Sequence, residues 1–380
     1  MTAAGTPTRP DAESTPHRPI DLAFPRGSDD TSASSRREAE RRFAIEAIVA
    51  ASRLTRAVRR DFDPSHAAAK ADASPVTVAD LGAQALVSMA LAEALPGDGL
   101  MGEEDFGPLA ASADLAQAVL ARVREQRPTT TLDELRLALD RCDDAGGPGR
   151  RWWTLDPVDG TKGFLRNEQY AVALALIEDG EVVLAAMACP NLPLAGEPGE
   201  NEVMAATPGP AGPHDPATLG CLFIAERGRG AVMLPLDEAE TGAPGMPIRV
   251  AAPASASGGR YAESVEAAHS DQSASVRIGQ LLGITAEPLR LDSQTKYAVV
   301  ARGDASIYLR LPRGGYVENA WDHAAGSLIV TEAGGRVSDV RGRPLDFTTG
   351  TRMTANSGIV AAAASIHDEV VAAVRSVLEG

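Results

Sequence analysis

The sequence predicts a mixed fold in which an α+β half is followed by an α/β half. Three observations support this prediction. Helical patterns dominate the first 150 residues, β-prone runs joined by turns follow in residues 153–234, and helices alternate with strands from residue 272 onward. We place the boundary near residue 255, beside a stretch rich in Ala, Ser and Gly at 253–259.

The first half begins after a polar segment. Residues 1–34 are rich in Thr, Ser, Pro and Asp and lack a hydrophobic period, so we expect a disordered tail. The predicted subdomains are therefore residues 35–255 and 256–380. Ser35 and Glu38 have the spacing of a capping box, which indicates a helix start at Ser35.

Further elements follow from capping residues, turns and periodicity. A second helix is predicted over 80–95, and Thr131 with Glu134 indicates the cap of another. Asp179-Gly180 joins two apolar runs and predicts a β-hairpin. The other predicted elements are a hairpin over 219–234, strands at 248–251 and 306–311, and helices at 272–282 and 321–333.

Composition excludes several classes of protein. The 380 residues include 36 Lys plus Arg and 52 Asp plus Glu, so the net charge is −16. Such a surface repels nucleic acids and anionic membranes, and an anionic substrate would need a local cluster of cations. Three widely separated cysteines provide neither a zinc motif nor a disulfide framework. We find no secretory signal, no run of about 20 apolar residues and no sign of an obligate protein partner, and we expect a cytoplasmic protein.

The segment DPVDGT at residues 156–161 carries the strongest chemical signal. Asp156 and Asp159 stand at the end of a predicted strand, and with the Val158 carbonyl they offer the hard oxygen ligands that Mg²⁺ prefers. The backbone N–H groups of Gly160 and Thr161 would suit a phosphate if a helix begins there. An ordinary strand-end turn would have the same residue types.

Other carboxylates could complete a metal site. Glu103 lies in the GEED segment at 102–105, Asp80 at a predicted helix start, and Asp322 at the start of the apolar WDHAAG segment at 321–326. Taken singly, Asp80 and Asp322 read as helix caps and Glu103 as a surface charge. Together they would supply enough oxygen ligands for two or more metal ions.

These motifs, in this order, resemble the inositol monophosphatase superfamily of Mg²⁺-dependent, lithium-sensitive phosphatases. Longer segments resemble its 3′(2′),5′-bisphosphate nucleotidase branch. The resemblance covers residues 38–375, and it implies a layered αβαβα sandwich of the inositol monophosphatase/fructose-bisphosphatase type with two sheets. The segments that carry the branch resemblance are DPVDGTKGF (156–164), CPNL (189–192), HS (269–270), LDSQTKY (291–297) and YLRLP (308–312).

The resemblance also implies roles for individual residues. It makes Asp80 and Thr161 the pair that activates the attacking water, without a covalent enzyme intermediate. The implied ligands of two or three Mg²⁺ ions are Glu103, Asp156, the Val158 carbonyl, Asp159 and Asp322. The implied substrate contacts are Gly160, Thr161, His269, Ser293, Lys296, Arg310 and Asp322.

Structural alternatives exist for several of these contacts. His269 could be a strand-end histidine and Lys296 a solvated charge, and only the motif supports Ser293. Arg310 lies between apolar neighbours in a predicted strand, where an inward-facing guanidinium needs a counter-anion that a phosphate could provide. His323 is predicted to be structural.

The function implied is removal of the 3′-phosphate of adenosine 3′,5′-bisphosphate, with 3′-phosphoadenosine 5′-phosphosulfate as a second substrate. An inositol phosphate phosphatase is the alternative within the superfamily. A catalytically silent nucleotide sensor is the alternative of another class. The partner implied in each case is a small phosphorylated molecule rather than a polymer.

Overall fold

The computed structural model describes residues 31–62, 75–194, 219–265 and 272–379. Most of the predicted N-terminal tail lies outside the described residues, and so does His269. The helices are α1 (Thr31–Asp61), α2 (Pro75–Ala94), α3 (Gly107–Ala111), α4 (Ala113–Arg124), α5 (Leu132–Asp140), α6 (Thr161–Arg166), α7 (Gln272–Leu282), α8 (Thr295–Arg302), α9 (Ala324–Glu332) and α10 (His367–Glu379). Short 3₁₀ turns occupy Leu236–Thr241 and Ala256–Gly258.

The strands form two sheets. The first has β1 (Gly99–Gly102), β2 (Arg151–Asp159), β3 (Ala171–Glu178), β4 (Glu181–Pro193), β5 (Leu219–Glu226), β6 (Gly230–Pro235) and β7 (Met246–Pro247), paired in chain order. Among the described strands of this sheet, only β1 and β2 pair in parallel. The second has β8 (Tyr261–Glu263), β9 (Leu289–Arg290), β10 (Ile307–Arg310), β11 (Gly335–Ser338) and β12 (Ile359–Ala363), in the order β11-β12-β10-β8-β9.

Side chains alternate between the two faces of each strand, and the buried apolar residues form three clusters on the faces of the two sheets. Trp153 and Leu174 face α1 and α2 on the outer side of the first sheet. Trp152 and Ala173 lie on the other face of this sheet, in the cluster that also contains the buried apolar residues of α8 and α9. Because these two helices also pack on the inner side of the second sheet, and α7 with α10 covers its outer side, the layers are α, β, α, β, α. This arrangement confirms the predicted αβαβα sandwich. The division at residue 255 lies between the two sheets and stays a prediction.

The structure confirms the hairpins and the helix cap for which the sequence has the clearest local motifs. Asp179 and Gly180 have φ angles of 51° and 80° and join β3 to β4, as predicted for this hairpin. The second hairpin is formed by β5 and β6. Thr131 and Glu134 form the predicted capping box at the start of α5.

Several predicted boundaries are wrong. Helix α1 begins at Thr31, so Ser35 lies within the helix rather than at its cap. Helix α2 begins at Pro75, where the missing N–H costs nothing, and Asp80 is the sixth residue of the helix. Residues 248–251 form no strand: the Ile248 N–H still donates to Ala231 of β6, but the Val250 N–H donates to the Ala333 carbonyl. Helix α9 begins only at Ala324.

Helix α2 also corrects the prediction that no apolar run could span a bilayer. Residues Val76–Ala94 are long and apolar enough to do so. In the fold, 78% of this window is buried, and the helix packs between α1, α4 and β2. Its apolar composition is therefore that of a core helix.

Candidate active site

A cleft of about 390 Å³ opens where the end of β2 and the end of β10 approach residues 291–296. It collects most of the residues that the sequence analysis selected. Those lining it are Glu103, Asp159, Gly160, Thr161, Ser293, Lys296, Arg310 and Asp322.

A bulge at the end of β2 brings its two aspartates together. Asp156 pairs with Ala173 of β3, whereas Asp159 pairs with Ala171, so one extra residue of β2 is accommodated between them. Pro157 has no N–H to contribute to the sheet, which makes this a favourable place for the irregularity. Val158, between the aspartates, is buried.

Gly160 allows a second segment of the chain to approach this turn. Its φ angle is +90°, and a Cβ atom there would lie 2.7 Å from the Ser293 Cβ. Ser293 itself has φ of +70° and exchanges a hydrogen bond of 2.8 Å with the Thr295 hydroxyl. A residue larger than glycine would separate the two walls of the cleft.

Glu103 is positioned by a side chain that the sequence analysis missed. The amide of Gln84, buried on α2, accepts a hydrogen bond from the Glu104 N–H at 3.0 Å and donates another to the Glu104 carbonyl. This pair of bonds fixes the turn after β1, with Glu103 open to the cleft. Gln84 lies one helical turn after Asp80, and no motif distinguishes it.

Four carboxylates of the site repel one another, those of Glu103, Asp156, Asp159 and Asp322. Burial and repulsion from Asp159, Glu103 and Asp322 raise the pKa of Asp156 well above its usual range. Desolvation in the cleft wall, with repulsion from Asp322 and Asp159, raises the pKa of Glu103 to about 8. Arrays of this kind are unfavourable without a cation.

The donor set fits a divalent metal ion. The Asp156 Oδ1 atom is buried and has no hydrogen-bond partner within the described residues. An uncompensated carboxylate oxygen beside further carboxylates is an environment for a hard cation such as Mg²⁺. Magnesium is therefore compatible with the residues present.

Gln294 connects both aspartates to the far side of the cleft. Its backbone N–H donates to Asp159, and its side-chain amide donates to the Asp156 Oδ2 and the Trp321 carbonyl, each at 3.1 Å. The residue is buried and lies within the LDSQTKY segment, but no role was predicted for it. Its position in that segment was the available signal.

Asp80 and Asp322 do not cap helices. Asp80 is buried within α2, where desolvation and repulsion from Glu104 and Glu103 raise its pKa well above the usual range. Asp322 precedes α9, whose N-cap residue is His323 and has no capping side-chain bond. The helix-cap alternatives are therefore wrong. Thr161 begins α6 and is exposed to the cleft.

Arg310 already has counter-anions. Its Nε lies 2.8 Å from Glu318 and its Nη2 lies 3.4 Å from Asp322. Glu318 is buried and also bonds to the His323 Nε2 at 3.0 Å, while the His323 Nδ1 bonds to the Tyr297 hydroxyl at 2.8 Å. The inward guanidinium thus does not by itself require a phosphate, and buried His323 has the structural contacts predicted for it.

Lys296 is not a solvated charge. It is 5% exposed, its Nζ lies 5.4 Å from the Tyr308 ring centre, and it donates a hydrogen bond of 3.4 Å to the Leu291 carbonyl. Burial lowers its pKa to about 8, although Asp159 and Asp292 oppose this shift. A buried amine at the wall of the cleft suits an anionic ligand.

The chain belongs to the inositol monophosphatase family, whose sequence model matches residues 37–379. Among its relatives, the 3′(2′),5′-bisphosphate nucleotidase of Emericella nidulans is 42% identical, and the match covers 90% of this chain and 99% of that protein. The 3′(2′),5′-bisphosphate nucleotidase of Schizosaccharomyces pombe is 39% identical, with coverage of 90% and 96%. These relatives confirm the resemblance found in the sequence.

Solved structures confirm the fold. The inositol monophosphatase of Zymomonas mobilis superposes with a TM-score of 0.56 at 18% identity, covering 91% of this chain and 100% of that one. The inositol monophosphatase from Anabaena (Nostoc) sp. PCC 7120 gives a TM-score of 0.54 at 19% identity, with coverage of 90% and 97%.

Proposed function

We propose that this chain is a Mg²⁺-dependent phosphatase that converts adenosine 3′,5′-bisphosphate to AMP and phosphate, and that it also acts on 3′-phosphoadenosine 5′-phosphosulfate. One observation carries the proposal: a single cleft combines a cluster of carboxylates with Lys296 and Arg310. On a chain of net charge −16, these local cations suit a substrate with two phosphates. The names of the relatives support the same choice of substrate.

The residues that would hold Mg²⁺ are Glu103, Asp156, Asp159 and Asp322, with the Val158 carbonyl. When bound, Mg²⁺ would supply positive charge that offsets the negative charge of the phosphoryl oxygens. The chain's own contribution is to fix the carboxylates. Gln294 holds two of them, and Gln84 holds the turn that carries Glu103.

Asp80 and Thr161 would orient and deprotonate the attacking water. The raised pKa of Asp80 makes its carboxylate a stronger base than an exposed aspartate. In the proposed reaction, a bond forms between the water oxygen and phosphorus, and the bond to the 3′ oxygen breaks. The proton that leaves the water passes to Asp80, directly or through the Thr161 hydroxyl. The departing 3′ oxygen takes a proton from solvent.

Phosphate release from a panel of substrates tests the proposal. We expect adenosine 3′,5′-bisphosphate to be hydrolysed with Mg²⁺ and not after chelation, with kcat/KM above that for inositol 1-phosphate or inositol 1,4-bisphosphate. A higher value for an inositol phosphate would establish the alternative within the family. Tight nucleotide binding without turnover in Mg²⁺ would establish a sensor instead.

We expect lithium to inhibit the reaction. Li⁺ prefers oxygen ligands, so it could occupy part of the carboxylate cluster without the second charge of Mg²⁺. The measurement is a lithium titration at limiting Mg²⁺ and constant ionic strength, with Na⁺ as the control. An unchanged rate across the titration contradicts the expectation.

The activity should also depend on the charge of Lys296. Because burial lowers the pKa of this amine to about 8, the free enzyme loses its positive charge above that pH, and kcat/KM for the bisphosphate should fall there. In Lys296→Arg the side chain stays charged, so this decline should move to higher pH. Identical pH profiles for the two proteins would show that another group is responsible.

A further inference from the structure

A second cleft lies at the C-terminal end of α1, and we call it the arginine cleft. It encloses about 370 Å³ and is lined by Arg56, Arg59, Arg60, Phe62, Asn167 and Asn191, together with Tyr170. None of these lining residues is acidic, although the chain carries 52 acidic against 36 basic residues. Three guanidinium groups at a cleft with no acidic lining residue favour an anionic ligand, and how strongly they do so depends on how each arginine is compensated.

The three arginines differ in how their charges are compensated. Arg56 pairs with Asp237 at 2.6 Å and donates to the carbonyls of Pro190 and Leu219. Arg60 pairs with its neighbour Asp61 at 3.3 Å.

Arg59 has no carboxylate partner within the described residues. Its Nε is buried without a hydrogen-bond partner, and its guanidinium lies 5.4 Å from the centre of the Phe62 ring. Partial burial lowers its pKa, which reflects the cost of holding this charge away from water. A half-buried arginine without a counter-anion at the wall of a cleft points to an anionic ligand, as does the absence of acidic residues from the cleft lining.

We propose that the arginine cleft binds a tetrahedral oxyanion, either inorganic phosphate or the phosphate group of a nucleotide. Arg59 provides the principal contact, since its guanidinium can offer two parallel N–H donors to phosphate oxygens. Arg56 and Arg60, each paired with an aspartate, line the cleft beside Arg59. The volume exceeds what one phosphate needs and leaves room for the sugar of a nucleotide.

This site is distinct from the candidate active site, because the two clefts share no lining residue. They are nevertheless neighbours through α6. Asn167 ends this helix, which begins at Thr161 in the active site. The Asn191 side chain donates to the Glu168 carbonyl at 2.6 Å, and Gln169 donates to the Asn191 carbonyl at 2.8 Å.

Calorimetric titration of the full chain with inorganic phosphate tests the proposal. Chelator-treated protein is used at low, constant ionic strength, because without metal the active-site carboxylates repel phosphate. We expect Arg59→Met to weaken binding at least tenfold. The matched control is Arg53→Met, which removes an exposed arginine of the same helix outside the cleft, and it should bind within twofold of the parent chain.

Two further variants locate the site. Lys296→Met removes a cation from the active site and should leave phosphate binding within twofold of the parent value. Arg59→Lys keeps the positive charge but lacks the planar guanidinium, so it should bind phosphate more weakly. This second variant keeps the test valid if Arg59→Met folds poorly. The proposal is overturned if the parent chain binds neither phosphate nor AMP, if Arg59→Met binds both like Arg53→Met, or if only Lys296→Met loses binding.

A parallel titration with AMP identifies the source of the phosphate group. Tighter binding of AMP than of phosphate, lost in Arg59→Met, assigns the cleft to a nucleotide. Binding of phosphate alone, with the same loss, assigns it to the free ion. If Arg59→Met changes neither AMP binding nor phosphate binding, the arginine cleft is not the binding site.

Discussion

Replacing Asp159 by asparagine should lower kcat/KM for adenosine 3′,5′-bisphosphate by at least a hundredfold, which corresponds to about 2.7 kcal/mol of transition-state stabilisation. Asparagine keeps the shape of the side chain, and its carbonyl oxygen can still accept the Gln294 N–H, so the bulged end of β2 should remain intact. The change removes one negative charge from the proposed metal site. Magnesium affinity, measured by calorimetry, should therefore fall together with the rate.

The chain offers a matched control for this substitution. Asp105 lies two residues after Glu103, is exposed, and accepts the Gly107 N–H at 2.6 Å, a bond that asparagine can also accept. Asp105→Asn should keep kcat/KM within a few-fold of the parent value, with an unchanged thermal midpoint. If Asp159→Asn retains more than a tenth of the parent kcat/KM, Asp159 is not a metal ligand.

The features predicted well from sequence are those encoded by a few adjacent residues. Asp179-Gly180 forms its hairpin because two consecutive residues accept positive φ, and Thr131 with Glu134 caps α5 through bonds across one helical turn. The aspartates at 156 and 159 likewise come together through a local bulge. In these cases the information needed lies within a short segment.

The features that were missed depend on contacts between distant segments. Glu318 compensates Arg310 from a loop that follows β10, and no spacing rule links the two residues. Gln84 bonds to Glu104, twenty residues away, across the boundary between a helix and a turn. The start of α2 is a different error, since Pro75 followed by valines resembles a strand although proline is also favoured in the first helical turn.

Arg310→Ala should weaken the reaction of the bisphosphate much more than that of a nucleotide 3′-monophosphate. We propose that Arg310, whose side chain is half-buried in the cleft, contacts the phosphate that is not cleaved. A charge-assisted contact of this kind contributes about 2–4 kcal/mol when the substrate buries it, roughly 30- to 1,000-fold in kcat/KM. The 3′-monophosphate lacks that group. It should lose only the part of the effect that comes from disturbing Asp322, whose carboxylate lies 3.4 Å from the arginine.

Arg310→Ala also has a structural effect, which must be distinguished from the loss of a substrate contact. Removing Arg310 leaves Glu318 buried and without its arginine partner, and this alone can destabilise the protein. The double variant Arg310→Ala with Glu318→Gln removes the uncompensated charge and keeps an acceptor for the His323 Nε2–H. Measuring kcat/KM for both substrates on the parent chain and on both variants gives a double difference in which the shared structural loss cancels. If the two substrates fall by the same factor in the double variant, Arg310 does not bind the second phosphate, and the cation that selects a bisphosphate must be sought elsewhere in the cleft, beginning with Lys296.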